Sequence, residues 1–91
     1  MSRFVYTKHE QNLRAAGIPW RTPRAVSRCA LKLDSALACH AAALYLQELA
    51  REETYPQARQ ACYAASLFLH RRYHAHASES GKRGIYYGYA G

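Results

Sequence analysis

Thr54-Tyr55-Pro56-Gln57 separates two long segments with helical patterns and so sets the topology of the chain. Thr54 and Gln57 stand at the spacing of a capping box, and proline is favoured in the first turn of a helix. No glycine or proline interrupts residues 24–55 before this turn. Because the connection is so short, we expect the two flanking helices to be antiparallel neighbours.

The helix before this turn has its own start signal. Thr22 stands at a capping position and Pro23 at the first helical position, which predicts one continuous helix over residues 23–53. Its apolar residues form two adjoining stripes that cover about half of the circumference, so the helix needs neighbours on two sides. The first stripe consists of Val26, Ala30, Leu33, Leu37, Ala41 and Leu44, and the second of Leu31, Ala38, Ala42, Tyr45 and Leu49.

The helix after the turn is predicted to span residues 56–77. Its apolar side is rich in small residues, which allow two helix axes to approach closely. We expect Leu37 and Phe68 to lie in the resulting core, where truncation to Ala costs about 2–5 kcal/mol. The apolar side consists of Ala58, Ala61, Cys62, Ala64, Ala65, Phe68 and Leu69.

Shorter elements are predicted at the two ends of the chain. A capping box at Thr7-Lys8-His9-Glu10 and a helix-ending glycine at Gly17 predict a first helix over residues 8–16. Residues 81–91 have no helical periodicity and form a tail or a strand, beside which Arg3-Phe4-Val5-Tyr6 would pair as a small two-stranded ribbon. The predicted fold is a single, mainly all-α domain over residues 1–91: a short N-terminal helix followed by a long antiparallel helical hairpin.

The charge of the chain indicates an acidic partner. The formal net charge is +7, and arginine predominates over lysine, which favours forked contacts with carboxylate or phosphate groups. The excess of positive charge lies in residues 1–33 and 55–91, while residues 34–54 are net acidic.

Cysteine usage and hydropathy predict the compartment. Cys29, Cys39 and Cys62 are an odd number without a CxxC pair, and we expect them to be buried free thiols in a reducing compartment. The longest apolar stretch, residues 36–46, is too short to span a bilayer, and the N-terminus has no signal-peptide pattern. We therefore expect a cytoplasmic protein without membrane contact.

Residues that could support catalysis or bind a metal are few. The acidic residues are scattered, no phosphate-binding glycine loop occurs, and Cys62 and His70 lie on different helix faces. His70 and His74 have the i, i+4 spacing that can hold a metal ion, but His76 points to another face and no Asp or Glu lies at a matching step. We expect neither an enzyme nor a cofactor or metal site.

The side of the 56–77 helix opposite its apolar residues has the composition of an interface. It carries Arg, Tyr and Leu, whereas an ordinary solvated face carries Glu, Lys and Gln. In the alternative interpretation, Tyr63 and Leu67 pack under the first helix or a second copy of the chain. The tail is a second candidate region, because its tyrosines suit stacking on bases or insertion into a protein groove. The predicted partner-binding residues are Arg59, Tyr63, Leu67, His70, Arg71 and His74 on the helix, and Lys82, Arg83, Tyr86, Tyr87 and Tyr89 in the tail.

These features predict a non-enzymatic interaction protein, an inhibitor or adaptor that binds an acidic surface of a larger protein or nucleoprotein complex. In size, basic charge and lack of signal, repeat or catalytic motif, the chain resembles the bulk character of small phage-encoded anti-defence proteins, anti-CRISPR proteins among them. That resemblance implies inhibition of a host complex.

Two alternatives remain open. Direct nucleic-acid binding is supported by a series of basic residues, although Glu48, Glu52 and Glu53 would repel a phosphate backbone. A helical homo-oligomer would associate through the second apolar stripe of the 23–53 helix. The basic series consists of Arg21, Arg24, Arg28 and Lys32.

Overall fold

The computed structural model describes the backbone of residues 3–19 and 22–82, and the side chains of residues 8–19 and 22–78. Within these ranges the chain is mainly helical, as predicted, and forms no strand. None of the described helices is both long and apolar enough to cross a lipid bilayer. The helices are α1 (Arg3–Ala15), α2 (Pro23–Leu33), α3 (Ala36–Glu52) and α4 (Pro56–Lys82).

The predicted short first helix over residues 8–16 is not confirmed, because α1 spans Arg3–Ala15. Gly17 adopts a φ of 88°, and its N–H donates to the Arg14 carbonyl at 3.0 Å. This left-handed residue ends the helix and brings Ile18 into the core, where its N–H donates to the Leu13 carbonyl at 2.8 Å.

The predicted ribbon is not confirmed. Arg3–Tyr6, its proposed first strand, forms the start of α1, so the helix does not begin at the Thr7 capping box. Aromatic and β-branched residues cost a helix only tenths of a kcal/mol each, which the surrounding structure readily overrides. Of the tail or strand predicted over residues 81–91, the first two residues belong to α4, and residues 83–91 lie outside the described residues.

The predicted single helix over residues 23–53 is wrong, because the chain breaks at Asp34 and Ser35. Asp34 has a left-handed backbone conformation, with φ 47° and ψ 44°, which ends α2. The Ser35 side chain then accepts the N–H of Ala38 at 3.1 Å and caps α3. The start of α2 is as predicted, with Pro23 in the first turn and the Thr22 hydroxyl accepting the N–H of Ala25 at 3.3 Å.

Helices α3 and α4 pack as an antiparallel hairpin, with a first arm that is shorter than the predicted 23–53 helix. The Arg59 Nε–H donates to the Glu53 carbonyl at the turn, and the Ser66 hydroxyl donates to the Ala43 carbonyl at 3.0 Å further along. Contacts therefore run up α4 as they run down α3, as in an antiparallel pair. Helix α4 extends beyond the predicted residue 77 to Lys82.

The core lies where α3 meets the other helices. It is lined mainly by small residues of α3, with Tyr45 and Leu46 of the same helix among them. The other large buried side chains come from the elements around α3. Cys39 is buried and Cys29 and Cys62 are partly buried, and all three are free thiols. The core consists of Leu13, Ile18, Val26, Ala30, Ala38, Cys39, Ala41, Ala42, Ala43, Tyr45, Leu46 and Leu69.

The predicted core positions of Leu37 and Phe68 are wrong, since these side chains are 57% and 53% exposed. The break at Asp34 shifts the helical phase of α3 relative to α2, so a stripe drawn across both does not lie on one side. On α4 the buried side passes through Ser66 and Leu69 instead of Phe68, and the Ser66 hydroxyl hydrogen-bonds to α3.

Candidate functional site

The structure places all six predicted partner-binding residues of the 56–77 helix on the exposed surface of α4. Successive residues three or four positions apart lie on one side of a helix, so the six form one broad surface about 22 Å long. We call this surface the α4 face. It consists of Arg59, Tyr63, Leu67, His70, Arg71 and His74.

Two large, half-exposed side chains lie among the basic residues of the α4 face. Tyr63 is 47% exposed and Leu67 is 50% exposed. They do not pack under the first helix, because α1 contacts α3 and makes no contact with α4 among the described residues. Residues 56–78 include no Asp or Glu, so this side of the molecule is basic. Apolar and aromatic groups within a basic surface suit an acidic protein partner.

Arg59 also has a structural role at the turn. Its Nε–H donates to the Glu53 carbonyl at 3.0 Å, and the Glu53 carboxylate accepts the N–H of Tyr55 at 3.1 Å. The carbonyl of a residue at the end of α3 has no partner within its own helix, so this arginine satisfies it. Arg59 therefore stabilises the hairpin as well as lying on the α4 face.

A ring cluster of three histidines and a tyrosine lies at the C-terminal part of the α4 face. His40 on α3 stacks on Tyr73 with 4.7 Å between ring centroids, and Tyr73 is 5.3 Å from His74. The Nε2 atoms of His70 and His74 are 3.1 Å apart, a hydrogen-bond distance at which one ring nitrogen donates and the other accepts. The cluster ties the exposed histidines to α3 through Tyr73.

The predicted tail residues are not placed by the structure. Lys82 is the last residue of α4, and its side chain is outside the described residues. Arg83, Tyr86, Tyr87 and Tyr89 lie outside the described residues altogether. Their proposed role remains a prediction.

A second group of polar side chains, which the sequence did not predict, surrounds Asp34. The Arg72 Nη2 atom lies 2.6 Å from Asp34 Oδ2 and 2.7 Å from Oδ1, and His76 Nε2 lies 3.0 Å from Oδ1. The hydrogen bonds from Arg72, and then that from His76, lower the pKa of Asp34 to about 2. The carboxylate in turn raises the pKa of Arg72. Asp34 is thus held ionised against α4.

Cys39, in the first turn of α3, is the fourth residue of this group. One donor atom each from Asp34, Cys39 and His76 can be chosen so that all lie within 4.8 Å of one another. Burial, and then the charge of Asp34, raise the pKa of the Cys39 thiol. We call the four residues Asp34, Cys39, Arg72 and His76 the Asp34 cluster.

The sequence contained one signal for the Asp34 cluster. Asp34-Ser35 is the only adjacent pair of helix-capping residue types within residues 24–51, and such a pair favours a helix end. With Asp34 placed inside a continuous helix, however, its carboxylate has no reason to meet α4. The pairing with Arg72 and His76 depends on the tertiary packing.

A groove of about 380 Å³ lies between α1 and α3. His9 lines it and is buried against Tyr45, with ring centroids 5.8 Å apart. Burial lowers the pKa of His9, the charge of Glu48 opposes this effect and that of Lys8 adds to it. The Nδ1 atom of His9 is buried without a hydrogen-bond partner in the described part of the chain. The groove is lined by Lys8, His9, Asn12, Leu44, Gln47, Glu48 and Arg51.

Comparison of this chain with models of known protein families, with curated proteins and with solved structures gave no match. The functional argument therefore depends on the α4 face and the Asp34 cluster themselves.

Proposed function

We propose that this protein is a non-enzymatic interaction protein, an inhibitor or adaptor, and that it binds an acidic surface of a larger protein or nucleoprotein through the α4 face. The observation that carries the proposal is the exposure of Tyr63 and Leu67 among Arg59 and Arg71 on a helix side that no other described helix covers. Arginine and tyrosine are enriched among the residues that dominate binding energy.

The arrangement supports a specific mode of binding. Tyr63 and Leu67 are one turn apart and present apolar surface for a hydrophobic pocket, as helices in groove complexes do. Arg71 follows one further turn along, where its planar guanidinium can form two parallel hydrogen bonds to a carboxylate. The lack of acidic side chains between residues 56 and 78 removes repulsion against an acidic partner.

The resemblance to phage anti-defence proteins narrows the partner class within this proposal. A nucleoprotein effector of a bacterial defence system offers acidic protein surface beside nucleic acid, and blocking it requires no catalysis. The purified chain is then expected to inhibit the nuclease activity of such an effector in a stoichiometric manner.

A matched pair of variants tests the α4 face. Leu67→Ala with Arg71→Ala removes an exposed leucine and an exposed arginine from α4. Leu31→Ala with Arg28→Ala removes the same two residue types from the exposed surface of α2. Each protein is immobilised and exposed to nuclease-treated lysate of the source cells, and bound proteins are quantified.

The proposal expects a partner that wild type and the α2 variant retain and that the α4 variant loses, while helicity is equal in all three. Because exposed charges are screened, retention should decrease gradually with salt. Equal retention by both variants would show that the α4 face is not the binding surface.

Nucleic-acid binding is a second candidate function, supported by one observation on α2. Arg24, Arg28 and Lys32 are exposed at successive steps of four, and residues 23–33 include no acidic residue. Each phosphate contact that is lost lowers the slope of log affinity against log salt by about one. Arg24→Gln with Arg28→Gln should therefore lower this slope by about two on a labelled duplex, while the α4 variant leaves it unchanged.

The homo-oligomer remains a prediction, but most of its proposed surface packs against other helices of the same chain. Ala38, Ala42 and Tyr45 of the second stripe are buried in the core of this chain. Of that stripe, Leu31 is exposed and Leu49 is partly buried.

A further inference from the structure

The Asp34 cluster brings together three different metal-binding atom types from three elements of the fold. The carboxylate of Asp34 comes from the α2–α3 junction, the Cys39 sulfur from α3 and a ring nitrogen of His76 from α4, all within 4.8 Å. No two of these residues are at the i, i+4 spacing that sequence motifs for metal sites use. The juxtaposition results from the left-handed turn at Asp34 and the packing of α4 against it.

We propose that Asp34, Cys39 and His76 form a binding site for a Zn²⁺ ion. Zinc accepts nitrogen, sulfur and oxygen ligands together in a tetrahedral arrangement, with ligand bonds of about 2.0–2.3 Å. Those bonds place the ligand atoms about 3–4 Å from one another, so the donors need to approach by only about 1 Å. Mg²⁺ and Ca²⁺ are excluded as the cognate ion because they require oxygen ligands and a thiolate is soft.

Arg72 orients the carboxylate in this site without being a ligand. Its Nη2 atom lies 2.6 Å from Asp34 Oδ2 and 2.7 Å from Oδ1, and Oδ1 also lies 3.0 Å from the His76 Nε2. A carboxylate oxygen accepts more than one contact, so Oδ1 can bind the ion if its contacts with Arg72 lengthen, while Oδ2 remains with Arg72. The ion replaces the hydrogen bond between His76 and Asp34 by two metal–ligand bonds. The Asp34 ligand stays hydrogen-bonded to Arg72, and zinc ligands are typically held by such outer hydrogen bonds.

The three donors differ in burial, so the site is open to solvent on one side only. Cys39 is fully buried and forms its floor, whereas the side chains of Asp34 and His76 are partly exposed at its rim. Three protein ligands leave the fourth tetrahedral position for water or for a donor from a binding partner. A bound ion joins the α2–α3 junction to α4 and stabilises the folded chain by mass action.

Cobalt is the probe that reports the sulfur ligand. The reduced, metal-free full-length chain is titrated with Co²⁺, whose bond to a thiolate gives a charge-transfer absorption band, and Zn²⁺ is then added to displace it. We expect one equivalent of Co²⁺, a thiolate band, and its loss on adding one equivalent of Zn²⁺. Zn²⁺ should also raise the melting temperature of the wild-type chain.

Variants assign the ligands. Cys39→Ala should abolish the thiolate band, and His76→Gln and Asp34→Asn should each weaken Co²⁺ binding at least about tenfold. His76→Gln changes a partly exposed residue, so it tests the site even if Cys39→Ala disturbs the core. It should also remove the effect of Zn²⁺ on the melting temperature.

Matched controls use the same residue types outside the site. Cys29→Ala, Cys62→Ala and the double variant His70→Gln with His74→Gln should leave the band and the stoichiometry unchanged. The proposal is overturned if Co²⁺ gives no thiolate band, if the band survives in Cys39→Ala, or if the His70/His74 variant loses binding while His76→Gln retains it.

Discussion

Arg72 binds both carboxylate oxygens of Asp34 across 38 residues of sequence, with Nη2 at 2.6 Å from Oδ2 and 2.7 Å from Oδ1. The Nε atom adds a third contact at 3.2 Å. The pair links the α2–α3 junction to α4, whereas the hairpin turn links only α3 to α4. Together with the packing of Val26 and Ala30 in the core, it holds α2 against the hairpin.

Loss of the Asp34 charge should destabilise the metal-free chain. Asn tolerates the left-handed backbone of this position, so Asp34→Asn keeps the local geometry and removes the ionic part of the Arg72 contact. We expect a lower melting temperature, and a difference from wild type that diminishes as salt is added. Thermal unfolding followed by circular dichroism measures both effects.

The Glu10–Arg14 pair is a matched control for this prediction. Its atoms are 2.8 Å apart, but both residues belong to α1 and the pair joins nothing else. Glu10→Gln should therefore lower the melting temperature less than Asp34→Asn. If the two substitutions have equal effects, the long-range pair does not stabilise the packing of α2.

Truncation of buried leucines should distinguish the observed core from the one expected from sequence. Leu46→Ala and Leu69→Ala remove fully buried side chains and should each lower the free energy of unfolding by about 2–5 kcal/mol. Leu37→Ala and Phe68→Ala change half-exposed residues and should cost about 1 kcal/mol or less. Urea denaturation of the four variants measures these values, and a large loss in Phe68→Ala would argue that α4 is rotated from its described position.

Acidification should destabilise the chain through His9. Because burial lowers its pKa in the folded chain below the ordinary value of 6.5, the unfolded chain binds the proton more readily. The stability contribution is complete above that ordinary value and decreases as the pH falls through it. Of the neighbouring groups, Glu48 opposes the shift, Lys8 supports it, and Tyr45 packs against the ring.

Denaturation between about pH 7.5 and about pH 5 measures this dependence. His9→Gln should make the stability fall less steeply over this range. His74→Gln, a substitution of an exposed histidine on α4, should change the slope less. A slope that is the same in wild type and His9→Gln would contradict the assignment.

The hydroxyl of Ser66 should contribute to the packing of α3 on α4. Ser66→Ala removes the 3.0 Å hydrogen bond to the Ala43 carbonyl and should cost about 0.5–1.5 kcal/mol. Ser78→Ala changes an exposed serine on the same helix and should be nearly neutral. Equal stability of the two variants would show that the bond between the helices adds nothing.

The sequence was sufficient to predict the hairpin because local signals determine it. Proline at the start of a helix and a connection too short for any other path act within a few residues of Pro56. The helical ending at Gly17 follows from the same kind of local requirement, since glycine adopts a positive φ without strain.

The break at Asp34 and the Asp34 cluster could not be predicted in the same way. A polar pair inside an apolar pattern is compatible with a continuous helix, and the contacts with Arg72 and His76 that favour a break are formed only after α4 packs. The sequence pattern also predicts the wrong buried side of α4, since the polar Ser66 is buried and the apolar Phe68 is exposed. For the α4 face, composition identified six residues that are exposed, but exposure alone does not identify a partner.

The contact between α3 and α4 also limits how this chain can vary. Ala42 and Ala43 on α3 are buried, and the backbone carbonyl of Ala43 is close enough to accept a hydrogen bond from Ser66. Enlarging a packed residue forces the neighbouring backbone apart, so larger side chains at these two buried positions should separate α3 from α4. Natural or designed diversity should therefore accumulate on the outer side of α4, while the positions of Ala42 and Ala43 should tolerate only small residues. The surface proposed to meet a partner can then change its specificity without altering the scaffold that carries it.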